Sequence, residues 1–324
     1  MAMRLLTAIL VLTSAATASA QWDTVLGDAL DMPETGPHWV SVRGRGIAYL
    51  LNADTGKVGG TLDISNFTPA VRPAMTRDRI YAYGSFYSRG TYGDRTDVVI
   101  GFDTATTLPV EEVEIPPKAA GIGNPGMIGL INEQFIGVWN ITPAISVSIV
   151  DLDSSEFVTE ISTPNCAGIY PADRGFISSC ADGTVQYVGL NENGEETSRS
   201  SSEVFFDLFE DPVLDYAVPS DDGWVFMTMN GRVHEVAVEN GQISISDGWS
   251  INPPDTDATD RNGMPLSSDD DWRLGGNQAY ALNSKAEVLA VVMHQGGGQE
   301  SFEDSGTEVW VFSTRSQRRG YRIT

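Results

Sequence analysis

Apolar and polar residues alternate along most of the chain in short runs that end at turn-forming residues. From Ile47 to Ile64, two alternating runs flank the turn Asp54-Thr55-Gly56. Period-two alternation is typical of β-strands, and a polar turn with glycine joins two strands into a hairpin. The pattern occurs six times, over residues 47–64, 97–116, 146–164, 184–203, 232–251 and 308–324. Helical periodicity is nearly absent, so the sequence predicts an all-β protein.

The spacing of these hairpins indicates a repeat. The first five follow one another at roughly 40 to 50 residues, the length of a four-stranded propeller blade. An array of β-sandwiches, the alternative, needs units about twice as long per domain. We therefore expect a β-propeller with about six blades, interrupted by a Pro-, Asp- and Asn-rich surface loop from Asn252 to Asp271. Shorter β-type runs would supply the inner strands, at 79–83, 135–139, 175–179 and 224–229.

Residues 1–20 are predicted to be a secretory signal peptide. Arg4 precedes an apolar run from Leu5 to Leu12, and Ala18-Ser19-Ala20 has the A-x-A form that signal peptidase accepts. That run is about half of the 18 residues that a membrane-spanning helix needs, and no later segment comes closer. We expect cleavage before Gln21, and a propeller over residues 21–324 that is exported and has no membrane span.

The charge balance narrows the choice of partners. The chain has 20 Lys and Arg against 44 Asp and Glu, which gives a formal net charge of −24. A protein that binds nucleic acid neutralises phosphates with basic side chains, so this class of partner is excluded. The acidic surface suits solubility, or an encounter with a basic patch on another protein.

Two cysteines, Cys166 and Cys180, are separated by fourteen positions that include Pro171 and Gly175. This spacing suits two strands of one hairpin, and an oxidising compartment would close such a pair into a disulfide. A metal site is the alternative, but two thiolates without a nearby histidine fall short of the four ligands of zinc. The disulfide is favoured over a metal site or free thiols.

Other candidate chemistry lacks its required pattern. The three histidines, His38, His234 and His294, form no H-E-x-x-H motif. Gly121 to Gly126 matches G-x-G-x-x-G, but Pro125 interrupts it and no βαβ unit surrounds it. The aspartates between Asn252 and Asp271 lack the spacing of a calcium loop and are interpreted as a solvated acidic loop. We predict neither a catalytic constellation nor a metal site in this chain.

Several collinear stretches resemble the heavy chain of the quinone-dependent amine dehydrogenases, the methylamine and aromatic amine types. They cover most of the chain from about residue 37 onward, in the family's order. The matching stretches are FYSRG (86–90), GDRTDVV (93–99), EIPPK (114–118), TPAISV (142–147), the two cysteines with DG (182–183), SRS (198–200), FF (205–206), DWRLGG (271–276), MHQG (293–296) and GTEVWV (306–311).

The resemblance implies a seven-bladed propeller of which this chain holds about six blades, since the family's chain runs on for roughly one more. Either the sequence is truncated, or its ring closes differently from that of the family. It implies a heavy subunit that binds no cofactor itself. A separate light chain would carry tryptophan tryptophylquinone and the catalytic base, in a complex of two heavy and two light chains. The complex would deaminate a primary amine oxidatively to an aldehyde and ammonia in the periplasm, and a blue copper protein, amicyanin- or azurin-like, would accept the electrons. The heavy chains of the family also carry a disulfide, which the inferred Cys166–Cys180 bridge matches.

One site residue follows from the resemblance. A phenylalanine after the first hairpin lines the substrate entrance in this family, and Phe67 in Asn66-Phe67-Thr68-Pro69 stands at that place. A rigid aromatic there would set the width and apolar lining of the channel. Ordinary packing of Phe67 between blades is the structural alternative. A stand-alone secreted propeller that binds a protein or a small molecule, without redox activity, is the alternative function, because a propeller fold alone does not decide function.

Overall fold

A computed structural model describes residues 32–68, 70–117, 125–252, 272–297 and 299–324. The predicted signal peptide, nearly all of the Asn252–Asp271 loop and most of the Gly121–Gly126 segment lie outside the described residues. Among the described residues, no helix has the length and apolar character needed to cross a membrane.

The first three blades are antiparallel sheets that follow one another in chain order. The first has three strands, and the second and third have four each. Their strands are β1 (Trp39–Arg43), β2 (Ile47–Asn52) and β3 (Lys57–Asp63) in blade one, β4 (Val71–Ala74), β5 (Arg79–Tyr87), β6 (Arg95–Asp103) and β7 (Pro109–Ile115) in blade two, and β8 (Ile128–Ile131), β9 (Phe135–Asn140), β10 (Ser146–Asp151) and β11 (Glu156–Ser162) in blade three.

The last three blades continue this order, and in the fifth and sixth an additional short strand pairs with a longer one. Their strands are β12 (Cys166–Ala172), β13 (Gly175–Cys180), β14 (Val185–Leu190) and β15 (Glu196–Ser201) in blade four, β16 (Val218–Pro219), β17 (Gly223–Met227), β18 (Arg232–Glu239), β19 (Gln242–Ile245) and β20 (Trp249–Ser250) in blade five, and β21 (Trp272–Leu274), β22 (Tyr280–Asn283), β23 (Val288–Gln295), β24 (Glu308–Ser313) and β25 (Arg318–Ile323) in blade six. Short 3-10 helices occupy Met75–Arg77, Pro125–Met127 and Gln299–Glu303.

The six predicted hairpins are confirmed as the outer strand pairs of the six blades. Polar side chains close several of their turns. In the β6–β7 turn, Asp103 Oδ1 accepts the N–H groups of Ala105 (3.1 Å) and Thr106 (2.8 Å), and these hydrogen bonds lower the pKa of Asp103. In the β2–β3 turn, Asn52 Oδ1 accepts the N–H groups of Asp54 and Thr55 in the same way. An Asx turn of this kind reverses the chain without help from the rest of the fold.

Apolar residues on both faces of the sheets form five buried clusters, and each cluster joins two consecutive blades. Strand alternation supplies apolar side chains to both faces, so each of blades two to five packs between two neighbours. Representative members, in blade order, are Leu50, Leu62, Ile80 and Phe102; Tyr81, Val99, Ile136 and Val150; Phe135, Ile149, Phe176 and Val188; Tyr170, Tyr187, Phe226 and Val236; and Val225, Met227, Tyr280 and Trp310. The all-β prediction and the estimate of six blades are confirmed.

The two ends of this series have exposed apolar faces. In blade one, the register pairs Val40 with Leu51 and Val42 with Tyr49, on the face opposite the one that contacts blade two. Val40, Val42 and Tyr49 are exposed there. In blade six, Tyr321 and Ile323 of β25 are exposed on the corresponding outward face. None of the five clusters, which are drawn from the described residues, contains members of both blade one and blade six.

The strand order also defines two faces of the propeller. In an antiparallel four-stranded sheet, the turn between the second and third strands lies at the same end as the connection to the next sheet. We call this end the upper face. The turns between the first and second strands and between the third and fourth strands lie on the lower face. The β3–β4 connection, the β5–β6 turn and the β15–β16 connection are therefore on the upper face, and the β6–β7 turn is on the lower face.

Candidate functional site

Phe67 lies on the upper face, in the connection between blades one and two. Its ring is half-buried and meets the ring of Tyr87 edge-on, with 5.8 Å between the centroids. The Phe67 N–H donates to Ser65 Oγ (3.0 Å), and that hydroxyl donates to the carbonyl oxygen of Ser85 (2.6 Å). The connection is therefore tied to blade two by hydrogen bonds at the residue that precedes Phe67 by two positions.

The close approach of this connection to β5 requires glycine at position 84. A Cβ atom there would lie 2.8 Å from Ser65 Cβ, a distance that real Cβ atoms essentially never show. Gly84 lets the Ser65 side chain lie against the strand, and Ser65 in turn orients the Phe67 backbone. The sequence folds locally so that the Phe67 ring is fixed against Tyr87.

A partly buried ion pair lies beside Tyr87. Arg95, which is the register partner of Tyr87, donates from Nε to Asp97 Oδ1 (3.0 Å). Its guanidinium carbon lies 6.0 Å from the centroid of the Tyr87 ring. Asp97 is fully buried, so the ion pair and the hydrogen bond from Arg95 Nη2 to Ser85 Oγ (3.2 Å) hold the end of blade two in one arrangement. Burial raises the pKa of the neighbouring Tyr83 to about 12, so its hydroxyl is neutral at physiological pH.

The β5–β6 hairpin presents further aromatic rings on the upper face. Phe86 and Tyr92 are exposed there, and the guanidinium of Arg89 lies 4.8 Å from the centroid of the Tyr92 ring. The hairpin that carries Tyr87 therefore adds two exposed aromatic side chains to the face on which Phe67 lies. The role of Tyr87, Arg95 and Asp97 was not predicted from the sequence, although all three fall in the stretches 86–90 and 93–99 that carry the resemblance.

The disulfide between Cys166 and Cys180 is present, with an S–S distance of 2.05 Å. The two cysteines are register partners on β12 and β13, at the upper end of blade four, so the predicted hairpin and its cross-link are confirmed. Trp139 of blade three donates from Nε1 to the carbonyl oxygen of Cys166 (3.0 Å). The bridge thus lies beside the junction of two blades and has a structural role.

The three histidines lie on three different blades. His38 is exposed beside Asp54, with 2.8 Å between Nδ1 and Oδ2. His234 is buried, and burial lowers its pKa. His294 Nε2 is 3.0 Å from the carbonyl oxygen of Ser301. Among the described residues, no three His, Cys, Asp or Glu side chains are grouped so that they could hold a metal ion.

The sequence of this chain matches one protein family along most of its length. The model of the family described as methylamine dehydrogenase heavy chain matches residues 38–321. The methylamine dehydrogenase heavy chain of Methylorubrum extorquens is 26% identical over 260 residues, which is 76% of this chain and 58% of the relative. The corresponding protein of Paracoccus versutus is 25% identical over the same share of this chain and 56% of its own length. The chain therefore spans less than two thirds of the length of these relatives.

Solved structures share the fold at low sequence identity. A β-propeller domain from Myceliophteria thermophila superposes with a TM-score of 0.53 at 8% identity, and the alignment covers 88% of this chain and 83% of that domain. A dihydro-heme d1 dehydrogenase superposes with a TM-score of 0.50 at 14% identity, over 92% of this chain and 54% of that protein. At such identities the superpositions establish the propeller architecture only.

Proposed function

Because the chain belongs to the methylamine dehydrogenase heavy chain family, we propose that it is the heavy subunit of a periplasmic amine dehydrogenase. The complete enzyme would convert a primary amine and water into an aldehyde and ammonia, releasing two electrons and two protons. Tryptophan tryptophylquinone on a separate light chain would take up the electrons, and a blue copper protein would accept them in turn. The match of the family model along residues 38–321 carries this proposal.

This chain's own contribution would be a scaffold and a substrate gate. We propose that Phe67 lines the entrance through which the amine reaches the light chain. The half-buried ring, its edge-on contact with Tyr87 and the hydrogen bonds of Ser65 support this role, because a fixed aromatic sets the width and the apolar lining of a channel. Phe86 and Tyr92, which are exposed on the same face, support it further.

We also propose that the complete ring has seven blades. The outward faces of blades one and six support this, because both present exposed apolar side chains on strands that alternate as internal blades do. A further blade inserted between them would cover both faces and satisfy the edges that an open sheet exposes.

The export of residues 21–324 to the periplasm remains a proposal based on the predicted signal peptide.

Co-purification tests the assignment. The chain is expressed with an affinity tag in its native host, and the visible spectrum of the purified material reports a quinone-bearing light subunit. Oxidation of a panel of primary amines is then followed with an artificial electron acceptor. We expect a coloured complex that oxidises amines. A colourless chain that purifies alone and oxidises none of the amines would refute the proposed function.

The Phe67→Ala variant tests the gate. Removal of the ring widens the channel, so kcat/KM should rise for bulky amines relative to small ones, by roughly tenfold. Leu108→Ala serves as the matched control, because Leu108 is an exposed apolar residue in the lower-face turn between β6 and β7. An unchanged ranking of amines in the assembled Phe67→Ala complex would remove Phe67 from the site.

A further inference from the structure

The connection between blades four and five presents apolar side chains to solvent on the upper face. We call residues 203–211 the Phe209 loop. Phe209 is 86% exposed, Val204 67% and Leu208 40%, and Phe209 is the most exposed large hydrophobic side chain among the described residues. Single exposed apolar residues are ordinary, but three on one loop of nine residues, one of them a nearly free phenyl ring, mark an interaction surface.

Hydrogen bonds hold the tip of the Phe209 loop in one conformation. Asp207 Oδ1 accepts the N–H groups of Phe209 (2.8 Å) and Glu210 (2.9 Å), and these bonds lower the pKa of Asp207. The N–H of Asp211 donates to the carbonyl oxygen of Asp207 (3.0 Å), and Asp211 Oδ1 accepts the N–H of Asn230 (2.9 Å). A phenyl ring presented by an ordered backbone loses little conformational entropy when it is bound.

The base of the loop is anchored in the aromatic core between blades four and five. The Phe205 N–H donates to the carbonyl oxygen of Gly183 (3.0 Å). The Phe205 ring packs against the rings of Phe206, Phe226 and His234, with centroid distances of 5.0, 6.3 and 5.1 Å. Phe205 and Phe209 therefore have opposite roles, since one secures the loop to the core and the other points into solvent.

The charged residues that flank Phe209 in the sequence are all acidic. Residues 200–231 contain seven Asp and Glu residues and no Lys or Arg. A partner must therefore offer an apolar pocket for the ring and basic side chains around it. A second copy of this chain, with a net charge of −24, fits this requirement poorly because two acidic surfaces repel each other.

We propose that the Phe209 loop is a docking anchor for the light subunit, whose contact surface would carry an apolar pocket edged by Lys or Arg. This inference rests on the proposed function. The loop and Phe67 are on the same face of the propeller, at the connections that follow blades four and one respectively. A light subunit that covers the upper face from blade one to blade four, and receives substrate past Phe67, would also meet the Phe209 ring.

Binding measurements with the native light subunit test the anchor. The subunit is separated from the tagged complex, and its dissociation constant is measured for the wild-type chain, Phe209→Ala and the lower-face control Leu108→Ala. Phe209→Ala should weaken binding by roughly tenfold to a hundredfold, as expected for a central aromatic anchor. Leu108, which is 57% exposed, should be replaceable without effect on binding. The thermal unfolding midpoints of both variants should equal that of the wild type, because neither side chain is buried.

A charge reversal supplies a second measurement. Glu203→Lys should slow association with the light subunit and reduce the dependence of the association rate on salt, because steering by opposite charges is lost. Wild-type affinity in Phe209→Ala would overturn the inference and leave the proposed function intact. The inference would also fail if Phe209→Ala bound the light subunit normally but raised the KM for the copper protein. It would fail likewise if Phe209→Ala changed only the self-association of the chain. Failure of the wild-type chain to bind any light subunit would instead refute the proposed function itself.

Discussion

The interface between blades five and six and the outward faces of blades one and six are built from similar side chains but differ in burial. At the interface, Trp310, Tyr280 and Val291 are each at most 1% exposed. On the outward faces, Val42 is 49% exposed and Tyr321 58%. All of these residues lie on regular strands whose neighbours alternate between the two faces of a sheet.

This difference in burial reflects the number of neighbours that a blade has in a propeller. An internal blade needs apolar side chains on both faces because it has a neighbour on each side, and the end blades carry the same double pattern. Apolar side chains exposed together on one face of a sheet mark a surface that another unit covers. Experiments that compare buried and exposed members of the same blades therefore measure how much of the outward faces is covered in solution.

The largest effect is expected at the blade five–six interface. Trp310→Ala removes a fully buried ring that contacts Trp272 at a centroid distance of 5.3 Å, and it should lower the free energy of unfolding by about 3 to 5 kcal/mol. Urea unfolding followed by circular dichroism gives the value. If the alanine variant does not fold, Trp310→Phe should still fold with a smaller loss. A loss below about 1 kcal/mol for Trp310→Ala would mean that this cluster does not hold the blades together.

A smaller change at the same interface, Val291→Thr, can be compared directly with the same change on the outward face of blade one. Val291→Thr replaces a methyl group by a hydroxyl at a fully buried site on β23, so it should cost about 1 to 3 kcal/mol of unfolding free energy because the hydroxyl must be desolvated. Unfolding of the variant and the wild type under identical conditions gives the difference. An effect near zero would indicate that the Val291 site admits water and that the interface is looser than its burial implies.

The outer hairpins of the fold were predictable from sequence because their information is local. The alternation of a hairpin such as 97–116 and the Asx turn at Asp103 lie within about 20 residues of chain. The innermost strands were missed for the opposite reason. Val71–Ala74 and Val218–Pro219 are short and contain prolines, which a first strand at a sheet edge tolerates. They are held by pairing with β5 and β17 of their own blades and by packing against β8 and β22 of the neighbouring blades, which no local pattern reports.

The sequence offered one candidate site residue but none of the contacts that hold it. The resemblance points to Phe67, and the structure places it on the upper face as the connection after the first hairpin requires. Its contact with Tyr87 joins residues 20 positions apart, and the Arg95–Asp97 ion pair is brought to Tyr87 by the register of β5 with β6, which pairs residues up to 24 positions apart. Spacing in the sequence does not determine that register. The apolar tip of the Phe209 loop was likewise missed, because no periodicity distinguishes an exposed phenylalanine from a buried one.

Burial of a titratable group at an internal interface gives a pH dependence that an uncovered face does not have. Burial lowers the pKa of His234, so the folded chain keeps this imidazole neutral while the unfolded chain protonates it below about pH 6.5. The stability that His234 contributes is thus complete above pH 6.5 and is lost as the pH falls through its folded pKa. The slope from this residue is at most about 1.4 kcal/mol per pH unit. Urea unfolding of wild type and His234→Gln between pH 5 and 8 should show a shallower acid loss in the variant, and parallel curves would contradict the role of burial.

The smallest effect is expected on the outward face of blade one, where Val42→Thr makes the same chemical change as Val291→Thr. Because Val42 is already half exposed, the new hydroxyl keeps its water, and the free energy of unfolding of the isolated chain should change by no more than about 0.5 kcal/mol. The same measurement on the assembled enzyme sharpens the comparison. If a seventh blade or another unit covers this face there, Val42→Thr should destabilise the assembly by an amount that approaches the cost of Val291→Thr. Equal costs of the two variants already in the isolated chain would mean that the outward face is covered without any additional unit, and the proposal of a seventh blade would then fail.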